Sequence, residues 1–178
     1  MGTSSSSPSV YDAEFFDRQR DGSRRSAAIA VPLLIDLFEP QSVLDVGCGT
    51  GVWLSVFREH GVDDILGIDG PWIEPRQQEI PEVFFRECDL TRPVALERTF
   101  DLALCLEVAE HLPAEAAPGL IESLTALAPV VVFSAAIPGQ GAKAISTRGG
   151  QVSGRDTSPH AGMFALLACG AACGPLTR

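Results

Sequence analysis

Apolar residues along the chain fall into short runs separated by stretches with helical spacing, and that alternation predicts the architecture. Residues 43–46, 65–69, 82–88, 100–106 and 130–137 read as strands, each bounded by Gly, Pro or Asp or by a change to helical spacing. Val52, Trp53, Leu54, Val56 and Phe57 begin a helix directly after the first strand, and residues 114–127 form another behind Pro113. Ahead of the first strand, residues 10–20 predict a short amphipathic helix with Tyr11, Phe15 and Phe16 on one side. Ser23 is placed to cap a second helix over residues 24–38, in which Ile29, Val31, Leu33, Leu34 and Leu37 supply the buried side and Pro32 interrupts the first half. Strands that alternate with helices imply a parallel sheet with right-handed crossovers.

The stretch SVLDVGCGTG, residues 42–51, carries the first chemistry. A strand holding one acid, Asp45, runs into Gly47, Gly49 and Gly51, and a helix follows at once. Glycine tolerates positive φ and lets a ligand lie on the backbone, while the first N–H groups of the helix face the same crevice. The spacing is GxGxG, and Val52 stands where a dinucleotide fingerprint needs its third glycine, which disfavours a pyrophosphate cradle and a nicotinamide-dependent oxidoreductase. About 20 residues further on, Asp69 ends the second strand, where a carboxylate can accept both hydroxyls of a ribose. A nucleoside without pyrophosphate fits that pair.

Four motifs in order, VLDVGCGTG (43–51), GID (67–69), CDL (88–90) and FDLALCLEVAEHLP (100–113), resemble the Rossmann-like class of S-adenosylmethionine-dependent methyltransferases of small bacterial type, over roughly residues 11–141. The resemblance implies an α/β, doubly wound, mainly parallel sheet in the order 3-2-1-4-5, with S-adenosylmethionine as cofactor and a small-molecule methyl acceptor. It implies cofactor-binding roles for Asp45, Gly47, Cys48, Gly49, Gly51 and Asp69. By the same resemblance Asp89 would bond the adenine amino group and Leu90 would contribute backbone or apolar contact to the ring. Asp is also common as the cap of a short turn such as the one that begins at Thr91. Glu107, at the end of the fourth strand, is the better cofactor candidate of the two acids there. Glu110 is equally a helix N-terminal charge favoured by the dipole. His111 is the candidate base, wherever the accepting atom must lose a proton, because histidine titrates near neutral pH. Its alternative role is to cap the helix or support the loop.

Composition narrows the partners. With 178 residues, 46% apolar and 20% charged, the chain is long enough for one domain with a sizeable core. A formal net charge of −10 repels phosphate backbones, so no nucleic-acid substrate is expected, and the cluster Arg18, Arg20, Arg24 and Arg25 reads as a solvated helix face. No apolar run approaches the ~20 residues of a membrane span. The five cysteines and the absence of a signal-peptide pattern point to free thiols in a reducing cytoplasm. Cys48, Cys88 and Cys105 read as small core residues, and Cys169 and Cys173 with His160 make a poor metal set, so no metal is expected. Residues 1–9, Ser-rich and opening on a chance match to a myristoylation signature, read as a disordered leader ahead of a domain over residues 10–141.

From Ala142 the local signals stop agreeing with one another, and residues 142–178 read as an aberrant tail without a proper sixth or seventh strand. Methyltransferases of the type this chain resembles continue after SAAIPGQGG with a segment like GHxNExWPxxW, a helix, and RGY opening a sixth strand. That segment lies one reading frame away. When the third base of each codon is joined to the first two bases of the next, residues 142–164 permit GxGHLNEGWPGVWAGHFAARGYV, and Met163-Phe164 permits only valine. The tail therefore reads as a frameshifted product, which leaves two functional expectations: a methyltransferase impaired by its altered end, or a non-catalytic relic that binds S-adenosylmethionine or a nucleotide without turning anything over.

Overall fold

A computed structural model describes residues 13–73, 75–135 and 163–168. Its elements are α1 (Ala13–Phe38), β1 (Ser42–Val46), α2 (Val52–Glu59), β2 (Asp64–Asp69), β3 (Phe85–Glu87), β4 (Leu102–Leu106), α3 (Ala117–Leu127), β5 (Val130–Ala135) and β6 (Met163–Ala168). One six-stranded sheet has the order β3-β2-β1-β4-β5-β6, in which the first five strands are parallel. The order 3-2-1-4-5 expected for a Rossmann-like fold is the one observed.

Strand β1 is central because it can be buried on both faces, and its side chains divide the core into two layers. Val43, with Leu102 and Leu104 of β4, faces α1 and α2, where Ala27, Val31, Leu54, Val56 and Phe57 are buried. Leu44 and Val46, with Ala103 and Cys105, face the other side, where Leu120, Leu124 and Leu127 of α3 are buried. The period of two along each strand therefore sends alternate residues to opposite layers, which makes the fold doubly wound.

Three expectations are corrected. The helical segments on either side of Ser23 form one helix, so Ser23 caps nothing: Gly22 lies within α1, with nothing within 4 Å of the position a Cβ would take. One glycine costs a helix roughly 1 kcal/mol, less than packing against α2 returns. Of the five apolar residues expected to be buried on this helix, only Val31 is, while Ile29, Leu33 and Leu37 are 71%, 57% and 70% exposed. Phase explains it. The buried face runs through Ala27, Val31, Leu34 and Ile35, and residues two positions further on lie about 200° around the axis.

The third correction concerns the tail. Residues Met163–Ala168 form β6 and pair antiparallel with β5, from Val130↔Ala168 to Ala135↔Met163, so the expected open edge of β5 is covered. Residues 163–168 are uniformly apolar, so the alternation that marks a half-buried strand is missing from their sequence. The third strand is also shorter than expected, since residues 82–84 turn as a 3-10 segment before β3 begins. Residues 1–9, Tyr11, His160, Cys169, Cys173 and the rest of 142–178 apart from β6 lie outside the described residues.

Candidate functional site

All the expected site residues lie at the C-terminal ends of β1 to β4, the side on which an open α/β sheet places its ligands. Gly47, Gly49 and Gly51 all have positive φ, at 80°, 54° and 82°. The Gly47 and Cys48 N–H groups donate to the Ile68 carbonyl at 2.8 and 3.2 Å, so the turn is sewn to the end of β2. The three glycines answer different demands. A Cβ on Gly47 would lie 2.3 Å from Cγ2 of Val108, and one on Gly51 would lie 2.7 Å from Cγ1 of Ile80. On Gly49 it would meet nothing within 4 Å. Gly47 and Gly51 thus admit neighbouring side chains, and Gly49 is the one open to a ligand.

Asp69 organises the next layer. Its Oδ2 accepts the Gly49 N–H at 2.7 Å and its Oδ1 accepts the Gly70 N–H at 2.7 Å. Burial raises its carboxyl above the usual range, against the lowering effect of those two N–H groups and of the neighbouring Trp72 side chain. Asp45 is buried on β1 and is pushed up to about 8, first by burial and then by the charge of Asp69. It lies beneath the turn, 3% exposed, rather than on its open side. The Cys48 thiol is also turned inward, with Sγ 2.7 Å from where a Cβ on Gly67 would stand, and burial raises its pKa further. Only the backbone of Cys48 belongs to the turn's outer face.

Beside Asp69, a cavity of about 350 Å³ is lined by Pro71, Trp72, Glu87, Cys88 and Asp89. Asp89 is exposed and already engaged: its Oδ1 accepts the Thr91 N–H at 3.0 Å and the Thr91 hydroxyl at 2.6 Å, and Arg92 stands 3.4 Å from Oδ2. The Thr91 hydroxyl and N–H hold its carboxyl below the usual range. The turn-capping role is therefore observed, and Asp89 also borders the cavity. The Leu90 side chain is buried in the core, which leaves its backbone as the part that could meet a ring.

The loop after β4 closes the other side. Glu107 has φ 56°, a left-handed conformation that is costly for a residue with a Cβ. Three contacts hold it there: its N–H donates to the Ser134 carbonyl at 3.0 Å and to the Ser134 hydroxyl at 3.2 Å, and that buried hydroxyl donates to its Oε1 at 2.8 Å. Val108 follows and packs on Gly47, so this loop and the glycine turn share one contact surface. His111 is exposed at the end of the 3-10 turn Ala109–His111. Sequence reasoning missed Trp72, Ser134, Val108 and Ile80. A serine inside VVVFSA and a tryptophan three residues after a strand-end acid were the available signals for the first two.

Among the described residues no helix is long and apolar enough to cross a membrane, and no three His, Cys, Asp or Glu side chains are grouped to hold a metal ion. The sequence profile of a family described as a methyltransferase domain matches residues 16–145. Over 74 residues the chain is 34% identical to protein arginine N-methyltransferase 1 of Saccharomyces cerevisiae, covering 42% of this chain and 20% of that protein. It is also 34% identical over 98 residues to a dTDP-4-amino-2,3,4,6-tetradeoxy-D-glucose N,N-dimethyltransferase of Saccharopolyspora spinosa, covering 54% of this chain and 39% of that protein. The chain thus spans well under half the length of either curated relative. The fold is shared with the magnesium protoporphyrin IX methyltransferase of Synechocystis, solved with bound S-adenosylmethionine, at a TM-score of 0.54 and 22% identity over 74% of this chain and 67% of that one.

Proposed function

The chain belongs to the methyltransferase-domain family, and from that premise we propose that it transfers a methyl group from S-adenosylmethionine to a nitrogen of a small molecule. The observation that carries the reading is the pairing of Gly49, open to a ligand, with Asp69, which lies 2.7 Å away and is fixed at the strand ends. Both curated relatives are named as N-methyltransferases, which supports a nitrogen acceptor, and an amino sugar is the first acceptor class to try.

S-adenosylmethionine would supply a methyl group on a cationic sulfur, already activated for in-line displacement. The protein's tasks are then to hold, align and exclude water. Gly49 offers the backbone surface, and the Asp69 carboxylate, held by two backbone N–H groups, offers its remaining lone pairs to ribose hydroxyls. Asp69 and Glu107 give the crevice a negative field that suits a cationic donor. An amine attacks only through its free lone pair, so an ammonium must first lose a proton. His111 is assigned that task, from its place in the loop that follows β4 and Glu107. The free, buried thiols Cys48 and Cys105 support a reducing, cytoplasmic setting.

The frameshift reading of residues 142–164 gains support from the family match, which ends at residue 145. The nucleotide sequence tests it directly: codons that do not spell the shifted segment would end the idea. Activity is tested by supplying the full chain with S-adenosylmethionine and a panel of amino sugars and other small amines. The expected result is S-adenosylhomocysteine together with a product heavier by one methyl group. A folded chain that binds S-adenosylhomocysteine yet methylates none of them would favour the non-catalytic reading instead.

A further inference from the structure

Arg24, near the middle of α1, belongs by sequence to a cluster of arginines that reads as a solvated helix face, yet its guanidinium is committed to three partners on two other segments. Its Nη2 donates to Oε1 of Glu59 at 2.5 Å, and its Nη1 donates to Oε2 of Glu79 at 3.2 Å and to the Ser55 hydroxyl at 3.3 Å. Ser55 and Glu59 lie on α2, which starts directly after the glycine turn, and Glu79 lies in the segment between β2 and β3. A guanidinium can serve all three because its donors form a rigid planar fork, which a lysine ammonium does not offer.

The backbone of Glu79 in turn supports the glycine turn. Its N–H donates to the Thr50 carbonyl at 2.8 Å, and Thr50 stands between Gly49 and Gly51. Ile80 follows, 4% exposed, and fills the space that a Cβ on Gly51 would need. Residues 79 and 80 therefore brace the turn, yet they sit on a segment with little regular structure of its own. Among its described residues from 70 to 81, the three-residue turn Pro75–Gln77 is the only helix and no strand is present. Glu59 and Glu79 also share the one cation, so without Arg24 two like charges face each other and drive Glu79 away from α2.

We propose that Arg24 is a positioning residue of the nucleoside site: from α1 it holds Glu79 and Ile80 against the glycine turn, so that the backbone at Gly49 keeps the shape on which a ligand lies. This rests on the nucleoside cofactor reading above and extends it to a helix that supplies none of the candidate site residues. Arg24 acts through Glu79 and Thr50 rather than on the ligand. The Arg24 and Glu79 side chains are 45% and 22% exposed, so the pair adds little to overall stability and its effect falls on the turn.

The experiment measures S-adenosylhomocysteine binding by calorimetry, stability by urea unfolding and hydrogen exchange of residues 75–84 by mass spectrometry, all on the full-length chain. R24Q, R24K, E79Q and the double variant R24Q/E79Q are compared with the parent. R98Q is the control, because it removes an ion pair of similar exposure, Arg98–Asp64, at the N-terminal end of β2, the far end of the sheet from the site. Expected is binding about two- to tenfold weaker in R24Q, the factor that one net hydrogen bond represents, with R24K between R24Q and the parent. E79Q should lose a similar factor, and the double variant should lose no more than the weaker-binding single, because both changes act through one contact. Exchange at residues 75–84 should quicken in R24Q and E79Q, while R98Q keeps the parent's affinity and exchange. Parental affinity in R24Q, losses that multiply in the double variant, or an equal loss in R98Q would each overturn the proposal. Should R24Q fail to fold, parental affinity and exchange in R24K would overturn it in the same way. No binding heat from a folded parent would instead refute the cofactor reading, and Arg24's role with it.

Discussion

Gly47 and Gly49 share a left-handed backbone but differ in what a methyl group would meet, and that difference separates stability from binding. G47A drives a Cβ into Val108 at positive φ, so it should lower unfolding stability by about 2–4 kcal/mol. G49A carries only the backbone cost of about 1 kcal/mol and should remain folded while losing most affinity for S-adenosylhomocysteine. Paired urea titrations and calorimetry check both, and equal losses of stability would contradict the assignment. Asp45 yields a pH prediction. Its folded pKa is raised to about 8, above the ordinary value near 4, so between those limits the folded state binds more protons than the unfolded chain. Its contribution is therefore full below about pH 4 and is lost as pH rises through about 8. D45N should flatten that decline in the urea midpoint, and an unchanged pH profile would show that Asp45 is not its source. At this scale the sequence was most legible where chemistry and backbone coincide, as at Gly49 and Asp69. It was least legible where a side chain's direction decides, as for Cys48 and Leu90, whose side chains are buried while their neighbours line the site.

At the scale of elements, the strands were readable because each is a short apolar run ending at a turn, and their ends are where the candidate site residues lie. The helix α1 was misjudged because apolar residues were counted without their phase, and β6 because its six residues are uniformly apolar and do not alternate. Its pairing with β5 can be tested through the backbone alone. Successive residues of an edge strand point their N–H groups alternately toward and away from the neighbouring strand, so one of L166P and L167P must remove a ladder hydrogen bond. One of the two should lower stability by about 1–3 kcal/mol in urea unfolding. If neither does, β6 contributes nothing to the sheet. Glu107 shows how two elements share one site: its strained backbone directly follows β4, while Ser134 on β5 holds it. S134A removes the hydroxyl and its contacts with the Glu107 N–H and carboxylate but keeps the bond from the Glu107 N–H to the Ser134 carbonyl, so it should weaken S-adenosylhomocysteine binding several-fold with little loss of stability. Unchanged affinity in calorimetry would leave Ser134 with a packing role only.

For the whole molecule, the family assignment rests on a match over residues 16–145, and the described structure agrees with it through the parallel part of the sheet. The methyl acceptor was not legible in the sequence for a physical reason. Cofactor contacts repeat at strand ends and leave motifs, whereas an acceptor pocket is a shape built from surrounding segments. The net charge of −10 opposes phosphate-rich partners and suits a cationic donor. The central claim is that the glycine turn and Asp69 form a nucleoside cofactor site, and calorimetric titration of the full chain with S-adenosylhomocysteine tests it most directly, with D69A alongside. Saturable binding by the parent, lost at least tenfold in D69A while that variant stays folded, is the result expected. No binding by a folded parent, or equal binding by D69A, would contradict the claim.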